Sequence, residues 1–335
     1  MRAWQITSDA GIDGLELVKR EVLPPGPGEV RVRIRASSLN NRDLQIVRNP
    51  TARRIPLPRV PNSDAAGEVA EVGRGVTSLR VGDRVATCFF QNWADGPCSQ
   101  AAMDSALGGP IDGVLAEEVV LRETGLVAIP DHLSYEEGAT LPCAGVTAWN
   151  AVTEIGRLQA GQVVLLLGTG GVSAFSLQFA HSRGAQVIVT SSSDDRLKRA
   201  RELGAAATIN YRAVRDWDQA VLDAAGGQGV DLVVEVGGAG TLPRSIAATR
   251  ISGTIALVGV LTGGHIDPAP IMRKSIRLQG LYVGSRRMFR EMNAALAAHQ
   301  IHPVIHRTFP FDQAKDAFRA LADAQHFGKI VISSS

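Results

Sequence analysis

A short apolar run that leads into a glycine turn constrains the fold of this chain more than any other feature of the sequence. Val163–Leu167 is apolar throughout and suits a strand that is covered on both faces of a parallel sheet. Gly168 permits a tight turn, and Gly170 allows the backbone to approach a phosphate group without an intervening Cβ atom. A helix that follows such a turn offers unpaired N–H groups to an anion. The stretch therefore predicts a site for the pyrophosphate of a dinucleotide, although Ser173 replaces the third glycine of the usual fingerprint.

Strands and helices alternate after this turn. The predicted elements are a strand at Gln186–Thr190, a helix at Asp194–Leu203 that Gly204 ends, and strands at Val230–Val236, Thr254–Val260 and Ile276–Val283. Strand, helix and strand at this spacing are typical of right-handed βαβ units, which build a doubly wound sheet. We therefore predict an α/β fold whose core is a Rossmann domain with a doubly wound parallel sheet.

The N-terminal third of the chain has a different pattern, which predicts short strands interrupted by glycine and proline. The predicted strands are Gly28–Ala36, Ala66–Val72, Val81–Ala86 and Glu117–Leu121. Ser134–Glu137 has the pattern of a capping box, so we expect a helix to begin there and to end near Pro142. A second helical stretch is predicted at Val146–Ile155. These patterns indicate a β-rich domain, which we expect to be a distorted barrel.

The last segment of the chain is predicted to return to this β-rich domain. It contains a helix at Met288–Gln300, a strand near Val304–Phe309, a helix at Phe311–Ala324 and a final strand at Lys329–Ser333. We therefore assign residues 1–145 and 284–335 to the β-rich domain and residues 146–283 to a nucleotide-binding domain inserted between them.

Composition and charge exclude several classes of protein. The 335 residues carry a net charge of +2, and Arg31, Arg33 and Arg35 alternate with apolar residues as on the solvated face of a strand. We therefore expect no nucleic-acid partner. The first residues lack the apolar core of a signal peptide, and no apolar run approaches the roughly 18 residues that span a membrane. Together with three widely separated cysteines, this predicts a soluble cytoplasmic protein with no membrane partner.

Five motifs together resemble the medium-chain dehydrogenase/reductase superfamily. They are Asn40–Leu44, Val81–Asp83, Leu141–Trp149, Gly168–Ser173 and Phe327–Lys329, and the resemblance covers essentially the whole chain. It implies a GroES-like β-barrel catalytic domain combined with the Rossmann domain. Within the superfamily the chain is similar to the zinc-independent branch, which includes quinone oxidoreductases and alcohol-dehydrogenase-like proteins.

The positions that match the catalytic zinc ligands of zinc-dependent relatives hold Asn40, Ser63 and Cys143. Those relatives supply a cysteine, a histidine and a second cysteine, whereas a neutral amide and a hydroxyl are poor ligands for tetrahedral zinc. Cys88 and Cys98 lie near the position of the relatives' four-cysteine lobe, but two thiols do not complete such a site. We therefore expect no zinc and no other metal. Cys143 is interpreted as a small buried hydrophobic residue, with a reactive thiol as the alternative.

The end of the second Rossmann strand bears on the choice of nicotinamide cofactor. An NAD enzyme of this fold typically has an acidic residue there, which binds the ribose 2′-hydroxyl, but this chain has Ser191. Ser191, Ser192 and Ser193 can donate to a 2′-phosphate, and Arg196 matches a basic residue of NADP-specific relatives. One charge-assisted hydrogen bond contributes about 1.5–3 kcal/mol, enough for roughly a ten- to hundredfold preference. We therefore predict NADP(H) over NAD(H), with a polar loop of no preference as the alternative. One of the two aspartates that follow is expected to be a helix N-cap.

The resemblance implies further contacts with the cofactor. The set consists of Thr147, Gly168, Thr169, Gly170, Gly171, Val172, Tyr211, Val258, Gly259, Val260, Gly284, Ser285 and Lys329. Within it, Val258–Val260 would contact the nicotinamide carboxamide through its backbone, and Lys329 would contact the nicotinamide side or a phosphate. An exposed structural lysine is the alternative for Lys329.

The resemblance also implies that Asn40, Asn41 and Arg42 begin the active-site wall. Hydride transfer to a carbonyl, enone or quinone leaves negative charge on oxygen, which fixed donors must stabilise where no metal does so. We expect Asn40 to donate to this oxygen, and we include Arg42, Asp43 and Ser63 among the catalytic residues. Arg42 stands where relatives often carry the Ser or Thr of a proton relay, which argues against such a relay here. No titratable acid is obvious, so the final proton is expected to come from water. Asp43 would orient Arg42 or the loop.

The substrate pocket is predicted to contain Asn41, Phe90, Trp93 and Cys143. Phe90 and Trp93 belong to an aromatic loop that replaces the zinc lobe. We interpret this loop as an apolar lip over the substrate, with packing under a long loop as the alternative. Asp64 is interpreted as a carboxylate that orients neighbouring side chains.

These expectations favour a zinc-independent, NADPH-dependent reductase of quinones or α,β-unsaturated carbonyls. An NADP-dependent alcohol or aldehyde dehydrogenase is the first alternative, and a non-catalytic NADPH-binding protein is the second. Ile276–Val283 would be an edge strand of the nucleotide-binding sheet, and both this edge and the resemblance predict a homodimer.

Overall fold

The strands of residues 1–334, which the computed structural model describes, form a seven-stranded, a six-stranded and a two-stranded sheet. The chain divides into two units. The first unit joins Met1–Val146 to the segment that begins at Gly284, and it contains the seven- and two-stranded sheets. The second unit is Thr147–Val283, and it contains the six-stranded sheet.

The N-terminal part of the first unit consists mainly of strands. They are β1 (Arg2–Ile6), β2 (Leu15–Lys19), β3 (Glu29–Ser38), β4 (Asp64–Val72), β5 (Arg84–Thr87), β6 (Glu118–Arg122) and β7 (Leu126–Ala128). Its helices are α1 (Asn41–Arg48), α2 (Gln100–Met103) and α3 (Tyr135–Ala139), with 3-10 turns at Gly11–Gly14 and Glu123–Gly125. A π-helical turn at Leu141–Gly145 follows α3 and leads into α4 (Val146–Trp149).

Strands and helices alternate through the second unit, after a π-helical segment at Asn150–Ile155. The strands are β8 (Val163–Leu167), β9 (Gln186–Ser191), β10 (Ala207–Asn210), β11 (Val230–Glu235), β12 (Thr249–Leu257) and β13 (Arg277–Gly280). The helices are α5 (Gly171–Ser182), α6 (Asp194–Glu202), α7 (Trp217–Ala224), α8 (Leu242–Ala248) and α9 (Ala269–Arg273). The remainder of the first unit contains α10 (Arg286–His299), β14 (Ile305–Pro310), a 3-10 turn at Phe311–Gln313, α11 (Ala314–Ala322) and β15 (Lys329–Ser333).

The strand β3 organises the first unit because it pairs with β4, β6 and β15, all antiparallel. Val32 on one face of β3 is buried, whereas Arg31 and Arg35 on the other face form ion pairs at 2.7 Å with Glu71 and at 3.4 Å with Glu68. The structure thus confirms that these arginines lie on the polar face of a strand. β15 returns the end of the chain to this sheet, which brings Lys329 close to residues that follow β3.

The six strands of the second unit are all parallel, in the order β10-β9-β8-β11-β12-β13. Val164, Leu165 and Leu166 in the middle of the sheet are 0% exposed, as the apolar run of β8 predicts. The prediction of a Rossmann domain with a parallel sheet is confirmed. Within residues 1–334, no helix is both long enough and apolar enough to cross a membrane.

Several predicted boundaries are wrong. β12 begins at Thr249 and ends at Leu257 because its first residues pair with the start of β11, and the expected end at Val260 lies in an exposed loop. β13 ends at Gly280 rather than Val283, whose φ of +58° is incompatible with a strand. Sequence reasoning also missed β10, which has one buried residue, and the hairpin of β1 and β2.

The helix that begins at Ser134 does not stop at Pro142. α3 ends at Ala139, but helical structure resumes in the π-helical turn Leu141–Gly145, with the proline in its first turn. A proline is tolerated there because the first N–H groups of a helix have no partner within the helix. The stretch predicted as one helix at Val146–Ile155 is likewise divided into α4 and a π-helical segment.

Candidate active site

The glycine turn of the second unit has the geometry that anion binding requires. Gly168 has φ of +71°, and its N–H donates to Thr190 O at 2.8 Å. Gly170 is the N-cap of the twelve-residue helix α5. A Cβ atom built on Gly168 or Gly170 would meet no other atom within 4 Å, so the space beside the turn is open to a ligand. Ser173, the exception to the fingerprint, donates to Leu167 O at 2.8 Å and so ties α5 to β8.

The other residues predicted to contact the cofactor near this turn differ in exposure. Thr169 is 6% exposed, whereas Gly171 and Val172 at the start of α5 are partly exposed. Thr147 in α4 belongs to the same unit and is 3% exposed. The turn therefore fits the pyrophosphate of a dinucleotide through its backbone N–H groups rather than through charged side chains.

The end of β9 brings a serine and an arginine together. Arg196 Nη2 donates to Ser192 Oγ at 2.8 Å, while Ser193 Oγ accepts from Arg196 N at 3.4 Å and caps α6. The expectation that an aspartate caps this helix is therefore wrong. Asp194 instead accepts from Asn210 Nδ2 at 2.8 Å, on the adjacent strand β10. This hydrogen bond holds the carboxylate against β10.

The remaining predicted residues of the second unit differ in exposure. Ser191 is 2% exposed, whereas Tyr211, whose N–H donates to Ser191 O at 3.1 Å, is 43% exposed. Val258 and Gly259 donate their N–H groups to Glu235 O, at 2.8 and 3.1 Å. Their expected backbone contact with a carboxamide is therefore limited to their carbonyl groups, while Val260 is 76% exposed.

Sequence reasoning missed a buried carboxylate at the end of β11. Glu235 is 0% exposed, and its Oε1 accepts from Gly237 N at 2.7 Å and from Thr241 Oγ1 at 2.6 Å. Its Oε2 accepts from Ser245 Oγ at 2.5 Å. The carboxylate therefore fixes the loop between β11 and α8, and the signal that could have revealed it is an acidic residue directly after the apolar run Leu232–Val234.

A second polar cluster lies in the first unit, where α1 begins. Asn40 is the N-cap of α1, and its N–H donates to Asp43 Oδ2 at 2.9 Å in a capping box. Asp43 is 1% exposed; burial raises the pKa of its carboxyl group, and the charge of Arg42 opposes this rise. Asp43 thus orients Asn40 and Arg42, as expected, and its two oxygens are occupied by that role.

Arg42 is held by the protein rather than free to meet a substrate. Its Nη1 donates to Leu107 O at 2.5 Å and to Asp43 Oδ1 at 3.2 Å, and the guanidinium lies 4.7 Å from the centre of the Phe89 ring. Asn41, at the first position of α1, is exposed. Of these two neighbours of Asn40, Arg42 is therefore a packed side chain and Asn41 is a surface side chain.

Lys329 joins this cluster from the far end of the chain. It is 3% exposed, and its Nζ donates to Leu39 O at 2.6 Å and to Asn40 Oδ1 at 2.5 Å. It also lies 4.0 Å from Asp64 Oδ2. The alternative of an exposed structural lysine is therefore wrong, and the ammonium group is already engaged within the first unit.

Asp64 is the buried counterion of this lysine. Burial raises the pKa of Asp64 to about 6, and the charge of Lys329 opposes the rise. Ser63 Oγ donates to Asp64 Oδ1 at 2.6 Å, and Cys143 N donates to Oδ2 at 3.1 Å. Cys143 is partly exposed rather than fully buried as expected, but desolvation and Asp64 raise the pKa of its thiol, which disfavours the reactive thiolate.

The amide nitrogen of Asn40 is the side-chain donor of this cluster, among residues 1–334, whose hydrogen bonding is incomplete. Asn40 is 8% exposed, and within residues 1–334 its Nδ2 makes no hydrogen bond of ordinary geometry; a weak one to Asp64 lowers the pKa of that carboxyl. Buried donors are satisfied in the great majority of proteins, so an unsatisfied one indicates a ligand or a function.

The aromatic loop does not form an exposed lip. Phe90 is 2% and Trp93 is 7% exposed, and their ring centres are 5.6 Å apart in an edge-to-face arrangement. Phe90 also packs edge-to-face with Phe89 at 4.7 Å, and Trp93 Nε1 donates to Gly96 O at 2.9 Å. The packing alternative is therefore the better description of this loop.

Two further residues predicted to contact the cofactor belong to the first unit. Ser285 is 1% exposed and caps α10 through its Oγ, which accepts from Met288 N at 3.3 Å. A Cβ atom on Gly284 would lie 2.7 Å from Val146 Cγ1 and would force that side chain to shift, so packing favours glycine there. These contacts explain both residues without a ligand.

The residues at the zinc-ligand positions of relatives do not fit a zinc ion. Asn40 Oδ1 accepts from the Lys329 ammonium, and the Ser63 hydroxyl donates to Asp64. A buried ammonium beside these groups would repel a divalent cation. Cys88 is buried and Cys98 is exposed, and among residues 1–334 no three His, Cys, Asp or Glu side chains are grouped so as to hold a metal.

Comparison with known proteins identifies two families along the chain. Residues 26–131 match the alcohol dehydrogenase GroES-like domain, and residues 171–298 match a family described as zinc-binding dehydrogenase. A zinc-type alcohol dehydrogenase-like protein of Schizosaccharomyces pombe is 43% identical over 332 residues, which cover 96% of both chains. A quinone oxidoreductase of Rattus norvegicus is 26% identical, over 99% of this chain and 97% of its own.

Solved structures agree with these relatives. An NAD-dependent alcohol dehydrogenase is 33% identical, with a TM-score of 0.92 over 100% of both chains. A mycobacterial protein solved in complex with NADPH is 26% identical, with a TM-score of 0.83 over 99% of both chains. The chain therefore belongs to the medium-chain dehydrogenase/reductase superfamily and is an oxidoreductase of the alcohol dehydrogenase and quinone oxidoreductase type.

Proposed function

We propose that this chain is a zinc-independent reductase that uses NADPH to reduce quinones or α,β-unsaturated carbonyls. The observation that carries the proposal is the buried Asn40 amide, whose Nδ2 makes no hydrogen bond of ordinary geometry within residues 1–334. An unsatisfied buried donor costs about 1–3 kcal/mol, and a ligand oxygen that accepts from it removes this cost. The donor lies at a position where zinc-dependent relatives bind their metal, beside the cation Lys329.

The residues of the first unit have to stabilise the charge that reduction creates. NADPH supplies the hydride when it is bound, and the substrate oxygen then becomes negative. A fixed N–H donor in a site that excludes water contributes roughly 10²–10³ to the rate of comparable reactions. Arg42 donates to Leu107 O and Asp43, so this role falls to Asn40. Water is proposed as the source of the final proton, since Ser63 already donates to Asp64.

The second unit would hold the cofactor. Gly168 and Gly170 leave open space beside their Cα atoms, and the N-terminus of α5 would bind the pyrophosphate. Arg196 and Ser192 would bind the 2′-phosphate of NADPH. The complex of the mycobacterial relative with NADPH supports this choice, whereas the NAD-dependent relative shows that the fold also serves the other cofactor. We therefore propose that the first unit is the catalytic domain and the second the nucleotide-binding domain.

A homodimer in the cytoplasm is the proposed state of the protein. Within residues 1–334, β13 pairs with β12 alone and leaves its other edge free. Val260, Leu261 and Met272, in the segments before β13, are 76%, 62% and 70% exposed. A free strand edge and exposed apolar residues in the same unit support pairing with a second copy.

An NADP-dependent alcohol or aldehyde dehydrogenase is the second candidate, and the names of several relatives, alcohol dehydrogenase and alcohol dehydrogenase-like protein, favour this substrate class. The two candidates differ in how the negative charge is distributed over the reduced substrate. A conjugated carbonyl or quinone spreads the new negative charge over several atoms, so one amide donor is enough to stabilise it. A simple aldehyde concentrates the charge on one oxygen, which a metal stabilises better.

Steady-state turnover tests the proposal. NADPH oxidation is followed with a quinone, an enone and a saturated aldehyde, using protein dialysed against a chelator. We expect turnover of the quinone or enone that exceeds turnover of the aldehyde. Turnover of the aldehyde alone supports the dehydrogenase, and tight NADPH binding without turnover of any substrate supports a non-catalytic protein.

A further inference from the structure

Lys329 is a buried cation whose main chain is fixed. Its backbone N–H donates to Val304 O at 2.9 Å. The preceding Gly328 has φ of +81°, and a Cβ atom there would lie 2.2 Å from Val304 O. The backbone conformation at the start of β15 is therefore fixed. As a result, the fold sets the direction from which the ammonium group reaches Asn40.

The ammonium group determines which way the Asn40 amide is turned. An ammonium has three donors and no acceptor, so the amide atom that faces it has to be oxygen. Nζ donates to Asn40 Oδ1 at 2.5 Å. A rotation of the amide by 180° would place two donors against each other. Nδ2 is therefore directed away from Lys329, and within residues 1–334 it makes only a weak hydrogen bond, to Asp64, which leaves it able to donate to a ligand.

The groups around Lys329 balance its positive charge and also fix its position. Leu39 O accepts at 2.6 Å, and Asp64 Oδ2 lies at 4.0 Å. Asp64 is itself held by Ser63 Oγ and by Cys143 N. Removal of one partner of a buried ion pair is destabilising, so this network fixes all three members in one arrangement.

We propose that Lys329 is a positioning residue for the reduction: it holds Asn40 Oδ1 so that Nδ2 is presented to the substrate oxygen, and its charge makes that N–H a stronger donor. The inference rests on the proposed function, in which Asn40 stabilises the oxyanion. It differs from a cofactor phosphate contact, because the lysine acts through Asn40 and two of its three donors are engaged within the first unit. Hydrogen bonds in a chain strengthen one another in a low-dielectric site.

Two substitutions with a matched control test this role. Lys329→Met removes both the charge and the hydrogen bond, and Lys329→Gln removes the charge but keeps an N–H donor for Oδ1. Lys19→Met, at an exposed position of the same unit, is the control. We expect kcat to fall at least about tenfold in Lys329→Met and less in Lys329→Gln, with the Kd for NADPH within about twofold of wild type. The Kd is measured by fluorescence titration without substrate.

Other outcomes overturn the inference. A weaker Kd for NADPH with little change in kcat would assign Lys329 to a cofactor phosphate. Equal kcat in Lys329→Met and wild type would show that Asn40 needs no orientation. Loss of the folded state in both variants, measured by circular dichroism and thermal melting, would make Lys329 a purely structural residue.

A measurement without turnover separates this inference from the proposed function. In ¹H–¹⁵N spectra of the uncomplexed protein, the side-chain amide signal of Asn40 should shift in Lys329→Gln and stay unchanged in Lys19→Met. Absence of wild-type turnover with every quinone and enone would defeat the proposed function, whatever this signal does. An unchanged Asn40 signal would defeat the positioning role of Lys329 even in an active enzyme.

Discussion

Two polar clusters of the chain use similar groups in opposite ways. In the first unit, Lys329, Asn40 and Asp64 are 3%, 8% and 0% exposed, and their hydrogen bonds hold one another in place. In the second unit, Ser192 and Arg196 form a hydrogen bond at partly exposed positions, where water competes for the same groups. Burial fixes the orientation of polar side chains and changes the pKa of titratable groups. Partial exposure instead leaves a charged side chain available to a ligand. The buried cluster should therefore govern the rate, and the partly exposed one should govern the choice of cofactor.

The largest effect is expected from Asn40→Ser. Serine is as good an N-cap as asparagine, so α1 should keep its start, but the amide N–H donor is lost. We expect kcat to fall by roughly 10²–10³ with the Kd for NADPH unchanged, because one oxyanion donor contributes about that much. Asn49→Ser, at the exposed end of the same helix, is the control. Unchanged turnover in Asn40→Ser would remove Asn40 from the mechanism.

The buried cluster also predicts a dependence of stability on pH. The pKa of Asp64 is about 6 in the folded protein, above its usual value of 3.8, so the folded state binds this proton more tightly than the unfolded state does. The contribution of Asp64 to the free energy of unfolding should therefore fall as the pH rises from about 4 to about 6 and stay constant above, by on the order of 3 kcal/mol. The difference between wild type and Asp64→Asn, measured by urea unfolding across this range, isolates it. A difference that does not vary with pH would contradict the assignment, and Asp323→Asn at the surface is the control.

The partly exposed cluster is tested by Arg196→Glu. A carboxylate in place of the guanidinium should weaken NADPH binding about ten- to hundredfold more than NADH binding, the size of one charge-assisted hydrogen bond. Lys198→Glu changes charge by the same amount on the same helix, at an exposed position. Titration of both cofactors checks the result. Equal losses for NADPH and NADH would show that Arg196 does not bind the 2′-phosphate.

The smallest effect is expected at the glycine turn. Gly170 has φ of −71°, and a Cβ atom there would touch nothing, so Gly170→Ala should leave the Tm unchanged. The added methyl group should weaken the binding of NADPH and NADH alike, by about tenfold or 1.4 kcal/mol. Gly280→Ala, which also has open space around it, should leave both affinities unchanged. Wild-type affinity in Gly170→Ala would move the pyrophosphate site elsewhere.

The two clusters also differ in how far the sequence predicts them. The turn from Gly168 and the serines after β9 follow directly on buried strands, so their spacing along the chain reports their geometry. Lys329 and Asn40 are 289 positions apart, and no local pattern links them. Their contact depends on the pairing of β15 with β3, which the sequence suggested only as a return of the last segment to the first domain.

Local patterns failed where tertiary structure overrides them. The strand β10 has four residues and one buried side chain, too few for a period of two to be visible. Val283 is apolar and buried, as in a strand, but its left-handed φ of +58° ends the extended chain before it. The aromatic loop suggested a substrate lip because Phe90 and Trp93 are large and apolar, whereas the structure uses them for packing. In each case the residue type was compatible with two environments, and the rest of the fold decided between them.

The central claim is that Asn40, supported by a buried ammonium group and without a metal ion, stabilises the charge that reduction creates. Metal content and turnover, measured together on the same preparation, test it most directly. The account predicts less than about 0.1 equivalent of zinc per chain, given the mismatch of ligands, and NADPH-dependent reduction of a quinone or enone that a chelator does not change. One equivalent of zinc per chain, with activity lost on chelation and restored by zinc, would contradict it.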